Sequence, residues 1–230
     1  EAGLTSGDCL DRVELEERAM EAHASRPRAT GPRAPGSSDV ERAEALAGNP
    51  GHEHFYDFDA LIESVATGAI RPLRGTYVTR LLGQNARVQP RQQLPEEAFW
   101  TASELRELQQ AIYSVKGRKF GGVWFGSLFV ALSYRWLSKE HPDPHGYHLD
   151  IVGRAAKKYL ELLQEELFAR LGGAADFALF WDFCVLHQKP RADDEQMRLF
   201  VAGLKLSNVW YGHAQSVTWM QTQLPKWFAK

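Results

Sequence analysis

The sequence predicts an α/β fold built on a buried parallel sheet, and three observations lead there. Three apolar runs, FVALSYRW (Phe129–Trp136), DFALFWDFCVL (Asp176–Leu186) and SVTWM (Ser216–Met220), have the length and content of strands covered on both faces. Long segments of helical periodicity follow the first two, giving the order strand–helix–strand–helix–strand. Polar groups then cluster at the strand ends: Ser133, Arg135 and Trp136 close the first run, and Asp182 sits late in the second. Ligands of open α/β sheets bind outside the carboxyl ends of the strands, so these four residues are the candidate site.

Taken in chain order, residues 1–24 are expected to be an amphipathic docking helix. Asp8–Ala24 carries Leu10, Val13, Leu15, Ala19 and Met20 among dense charges, the pattern of an amphipathic helix. Residues 25–50, with RPRATGPRAPGSS, have linker composition and are expected to lack regular structure. Residues 51–122 read as a helical and irregular extension. Phe58–Ala69 predicts a short helix ending near Gly68; Leu73–Val88 fits either a helix or a strand pair. Thr101–Val115 predicts a helix capped by Thr101 or Ser103. Residues 123–230 are the α/β domain proper, with Gly121–Tyr134 suited to a buried strand. Strands are expected at Phe129–Tyr134, Phe177–Phe183 and Ser216–Met220, the first of them central. Helices are expected at His148–Leu171, stopped by Gly172-Gly173, and from Asp193 or Asp194 to about Val209 on the face of Met197, Phe200, Val201 and Leu204.

Composition narrows the function classes. The chain of 230 residues is 44% hydrophobic with a formal net charge of −2 and a pI near 6.5. That balance argues against a dedicated nucleic-acid surface. No apolar stretch reaches the 18 or so residues of a spanning helix. Cys9 and Cys184 form no CxxC pair, and Cys184 within an apolar run reads as a buried thiol, so an intracellular, reducing compartment is expected. The chain opens on Glu1 with no signal-peptide pattern. A processed form, a fragment and a chain lacking its start all fit, which leaves an organelle open. His141, Asp143, His145, His148 and Asp150 lie close in sequence, but the prolines between His141 and His145 favour an extended loop, so no metal site is expected. A Cys184–His187 nucleophilic pair fares no better, because a buried thiol is inert. Gly121-Gly122 and Gly172-Gly173 lack phosphate-loop spacing.

Ala131-Leu132-Ser133-Tyr134-Arg135-Trp136 resembles the first-strand signature of TIR domains and, more closely, the opening of heterokaryon-incompatibility (HET) domains. Trp181, Asp182, Cys184, Gln188 and Glu195 match the second HET block. Val209–Trp219 is similar to the third. The resemblance covers about two fifths of the chain and implies a flavodoxin-like, TIR-type fold. It also implies a nucleotide pocket at Ser133, Arg135, Trp136 and Asp182. Catalytic TIR domains cleave the nicotinamide–ribose bond of NAD with a glutamate on the helix after the third strand, and nothing from Thr222 to Lys230 is acidic. The expectation is therefore a non-catalytic, cofactor-free module, with no catalytic residue and the pocket vestigial. It would act as an accessory subunit that meets protein partners through the N-terminal arm and the sheet edge. The alternative is a fragment of an NAD-cleaving hydrolase whose glutamate lies beyond residue 230. Cys9–Arg18 resembles, faintly, the first helix of SAP-like motifs. Arg135 is read either as a phosphate ligand or, preferentially, as the ion-pair partner of Asp182 across adjacent strands.

Overall fold

The computed structural model describes residues 38–48, 51–82, 84 and 86–228. The expected helix at Asp8–Ala24, Cys9 and the first half of the expected linker lie outside the described residues.

The linker expectation fails in its second half. Helix α1 (Asp39–Gly48) buries Val40, Ala43 and Ala47. A reciprocal cap starts it: the Glu41 amide donates to Ser38 Oγ at 3.2 Å and the Ser38 amide to Glu41 Oε2 at 2.9 Å. Small residues on one face let α1 lie against its neighbours, and Glu44 pairs with Arg198 at 2.6 Å.

Residues 51–122 are not an extension either. Helix α2 (Phe58–Ala66) is capped by the Asp57 side chain and buries Phe58, Leu61, Ile62 and Val65. Leu73–Val88 combines both alternatives, as strand β1 (Leu73–Arg74) followed by helix α3 (Gly75–Leu82). Helix α4 (Ala102–Gly126) begins with a capping box between Thr101 and Glu104. It runs past Val115, with one break at Gly117, which takes φ 73°, open to glycine at no steric cost. Gly121–Gly126 is thus helical, not strand. Gly121 packs so closely on Tyr113 that an added Cβ would lie 2.5 Å from the ring. These segments share one buried cluster with the sheet.

Strand β2 (Phe129–Tyr134) leads into helix α5 (Tyr147–Leu163), which continues through a π segment, Gln164–Phe168, and a last turn, Ala169–Leu171. Gly172 ends it at φ 79°. Strand β3 is Ala178–Phe180, short helix α6 is Asp182–Val185, long helix α7 is Asp194–Gly212, and strand β4 is Val217–Gln221. The sheet order is β1-β3-β2-β4. β2 pairs in parallel with β3 (Val130↔Leu179) and with β4 (Leu132↔Trp219), so the first predicted strand is central. β1 is antiparallel to β3. The architecture is mixed α/β on a mostly parallel sheet. Ring contacts assign the faces: Tyr159 of α5 meets Phe177 and Trp219, while Trp210 of α7 and Phe58 of α2 meet Phe129 on the other side.

Two elements differ from their periodicity. The second strand stops at Phe180, because Asp182 Oδ1 accepts the Phe183 amide at 2.7 Å and Trp181 O accepts the Cys184 amide at 2.7 Å. The local bonds turn the backbone into a helix, so Cys184 is buried in a helical turn rather than a strand. In α7 the core face is Leu199, Ala202, Leu206, Val209 and Trp210, whereas Met197, Val201 and Leu204 face outward. Gly203 sets that rotation, since a Cβ there would meet Ala69 O at 2.6 Å. Among the described residues, no helix is long and apolar enough to cross a membrane.

Candidate functional site

The parallel pairing of β2 and β3 brings their carboxyl ends together, with Asp182 at the centre. Tyr134 Oη donates to Asp182 Oδ1 at 2.6 Å, and Trp136 Nε1 donates to Oδ2 at 3.3 Å. With the Phe183 amide also on Oδ1, this one carboxylate accepts three donors. Strand alternation explains the choice of partners. Tyr134 and Trp136 are two residues apart and share a face, while Arg135 points to the opposite one.

The expected Arg135–Asp182 ion pair is therefore absent. Arg135 is exposed, and its guanidinium lies 4.9 Å from the centre of the Phe228 ring. It has no carboxylate partner among the described residues. The Arg135 carbonyl is engaged instead, by His148 Nε2 at 2.8 Å. Gln221 Nε2 approaches His148 Nδ1 at 3.2 Å. Gln221 can only donate there through its amide nitrogen, so His148 carries its proton on Nε2 and gives it to Arg135 O. This chain links α5, β2 and β4 through fully buried His148. Ser133 is exposed on β2 and Trp136 half-buried, edge to face with Phe183.

Electrostatics follow from burial around one anion. Burial first, then the Asp182 charge, pushes the Tyr134 phenol well above its usual range. Burial first, then the charges of Asp182 and Asp143, does the same to the Cys184 thiol. Burial with Asp182 lifts Tyr211 to about 12, while its hydroxyl donates to Leu132 O at 2.8 Å. Both phenols stay protonated at neutral pH and serve as donors, and Cys184 stays an inert thiol. The arrangement holds a carboxylate among protonated donors.

The histidines also serve the backbone. His141 Nδ1 accepts the Asp143 amide at 2.9 Å, so its Nε2 donates to Val88 O at 3.1 Å. Asp143, fully buried, accepts the Leu149 amide at 2.8 Å and ties the loop to the first turn of α5; its Oδ1 has no partner among the described residues. His145 packs its ring on Trp227 at 5.1 Å. Among the described residues, no group of three or more His, Cys, Asp or Glu converges as a metal site. A cleft of about 520 Å³ opens between Leu82, Arg87, His145, Tyr147, Asp150 and Trp227, and none of Ser133, Arg135, Trp136 or Asp182 lines it.

Sequence reasoning placed Asp182 and Trp136 together and left out Tyr134, His148 and Gln221. The period-two alternation of SYRW carried the signal for Tyr134. Nothing local marks Gln221, which lies 73 residues from His148. Gln188, from the second resembling block, hydrogen-bonds Asp182 O at 3.3 Å and Leu186 O at 3.1 Å, closing the turn after α6. No protein-family model matches the chain, and neither does any curated protein or solved structure.

Proposed function

We propose that the chain is a non-catalytic interaction module of TIR/HET-like type, an accessory subunit of a larger intracellular assembly. The Asp182 carboxylate carries this reading. Three of its roughly four acceptor sites are taken by Tyr134, Trp136 and the Phe183 amide, which ties it to the fold rather than to a ribose or a nucleophile. A buried, protonated Cys184 thiol is compatible with a reducing compartment. Exposed apolar side chains offer contact surface, among them Met197, Val201 and Leu204 on α7 and Met220 on β4. The test is incubation of the full chain with NAD: no nicotinamide release above a protein-free blank is expected, and steady release overturns the reading.

A second reading rests on Arg135, whose exposed guanidinium has no carboxylate partner among the described residues and could meet a phosphate. Calorimetric titration with ADP-ribose separates the two. Binding that Arg135→Ala abolishes favours a nucleotide-binding module; an unchanged baseline favours the first reading.

A further inference from the structure

Strand β4 ends the sheet on one side. The ladder to β2 uses one side of Val217–Gln221. Among the described residues, the other side makes no backbone hydrogen bond, and no side chain donates to it. Along the strand, exposed Thr218 and Met220 alternate with half-buried Val217, Trp219 and Gln221. Met220 is 72% exposed.

Monomeric proteins blunt such edges with lysine, proline, a bulge or a very short strand. None of these devices is present in β4. AQSVTWMQTQL, residues 214–224, contains no Asp, Glu, Lys, Arg or Pro, and Val, Thr and Trp favour the extended state. From this we infer that β4 pairs antiparallel, edge to edge, with β4 of a second copy of the chain, joining two sheets into one. The inference rests on the interaction-module reading and names its partner.

Charge and parity select the occupant. A neutral edge offers nothing to select a charged peptide. The strand that complements it without leaving a charge unpaired is one equally free of charge, and β4 itself is that strand. A twofold axis through Trp219 sets Thr218 of one copy opposite Met220 of the other, and Trp219 opposite Trp219. Exposed residues then meet exposed residues on one face, and half-buried ones meet on the other, as strand register demands. Thr–Met and Trp–Trp are favourable cross-strand neighbours. Five residues a side bury less than the roughly 1,200 Å² of a stable interface, so the dimer is reversible.

Sedimentation velocity of the full chain across the micromolar range should show the average mass rising from 26.0 kDa toward twice that value. The T218K/M220K pair sets lysine against lysine across the axis and should abolish the rise. T218E/M220E should abolish it as well, and mixing the two variants should restore it. Both sites are exposed, so melting temperatures should stay close to that of the unaltered chain. As a check needing no variant, hydrogen exchange at the Val217–Gln221 amides should slow as the unaltered chain is concentrated. A monomer at every concentration, or a dimer indifferent to both variants, overturns self-pairing. If that monomer takes up an uncharged extended peptide along β4, self-pairing falls while the module reading stands. Nicotinamide release from NAD by either form sinks the module reading instead.

Discussion

At the β1 edge of the sheet the strand is two residues long, and the chain closes it at once. Leu73 bridges to Phe99, the Trp100 amide donates to Pro72 O at 3.0 Å, and Trp100 Nε1 donates to Phe177 O at 3.0 Å. Arg71 and Arg74 then lie over the Phe99 and Trp100 rings, paired outward with Glu96 and Glu104. At the β4 edge five uncharged residues run beside β2, and no described segment pairs with their outer side. The difference teaches that an edge is finished only when a later segment of the chain returns across it. FWTASE folds back across β1, whereas QTQLPKW adds no strand beside β4. Among the described residues, one edge is therefore part of the core and the other is left uncovered.

Substitutions can break or sharpen this contrast. The largest effect belongs between the edges: Leu132, 1% exposed on central β2, should not tolerate Asp. Leu132→Asp should cost more than about 4 kcal/mol, read as loss of the cooperative denaturant transition. At the closed edge, Trp100→Ala removes a ring, a buried hydrogen bond and the platform under Arg74; urea unfolding should show a loss of about 3 kcal/mol.

Acid should reveal the turn that delivers β4. His213, 3% exposed and packed on Phe58, is pushed by burial down to about 4. Its folded pKa lies below the unfolded value near 6.5, so the unfolded chain binds the extra proton. Stability is then full above pH 6.5 and falls as pH drops toward 4. With solvent screening the contribution is about 2 kcal/mol. His213→Gln should flatten that part of the acid slope in melts taken across the window; an unchanged slope would assign it to His187, likewise pushed to about 4 by burial and by Arg91.

At the carboxyl end, Tyr134→Phe deletes one donor to Asp182 and should cost about 1.5 kcal/mol by the same unfolding measurement. The smallest effect is expected at the open edge. Met220→Ala should change stability by no more than about 0.5 kcal/mol, although β4 is as fully paired to β2 as β1 is to β3. A loss there comparable to that of Trp100→Ala would mean that both edges belong to the core.

By itself the sequence determined what is local. A continuous apolar run marked β2, buried on both faces over most of its length, and an alternating run marked β4, half-buried on one face, each to within a residue. Thr101 or Ser103, Asp193 or Asp194, and Gly172 marked helix ends, since capping involves residues a few positions apart, and the structure selects Thr101, with Glu104, and Asp193. The Ser38–Glu41 box carries the same kind of signal, but the proline-rich composition before it led to a linker expectation for residues that form α1. Only the tertiary structure decided the rest. Residues 39–82 joined the core because the sheet needed cover on one face and a closing segment at β1, requirements that appear only once the strands are ordered. Which residue meets Asp182 depended on the register of β2 against β3, which turned Tyr134 and Trp136 toward it and Arg135 away. The links from His148 to Gln221 and from Trp100 to Phe177 join positions 73 and 77 residues apart. Composition and spacing do not encode such distances, because they arise from the order in which the strands pack.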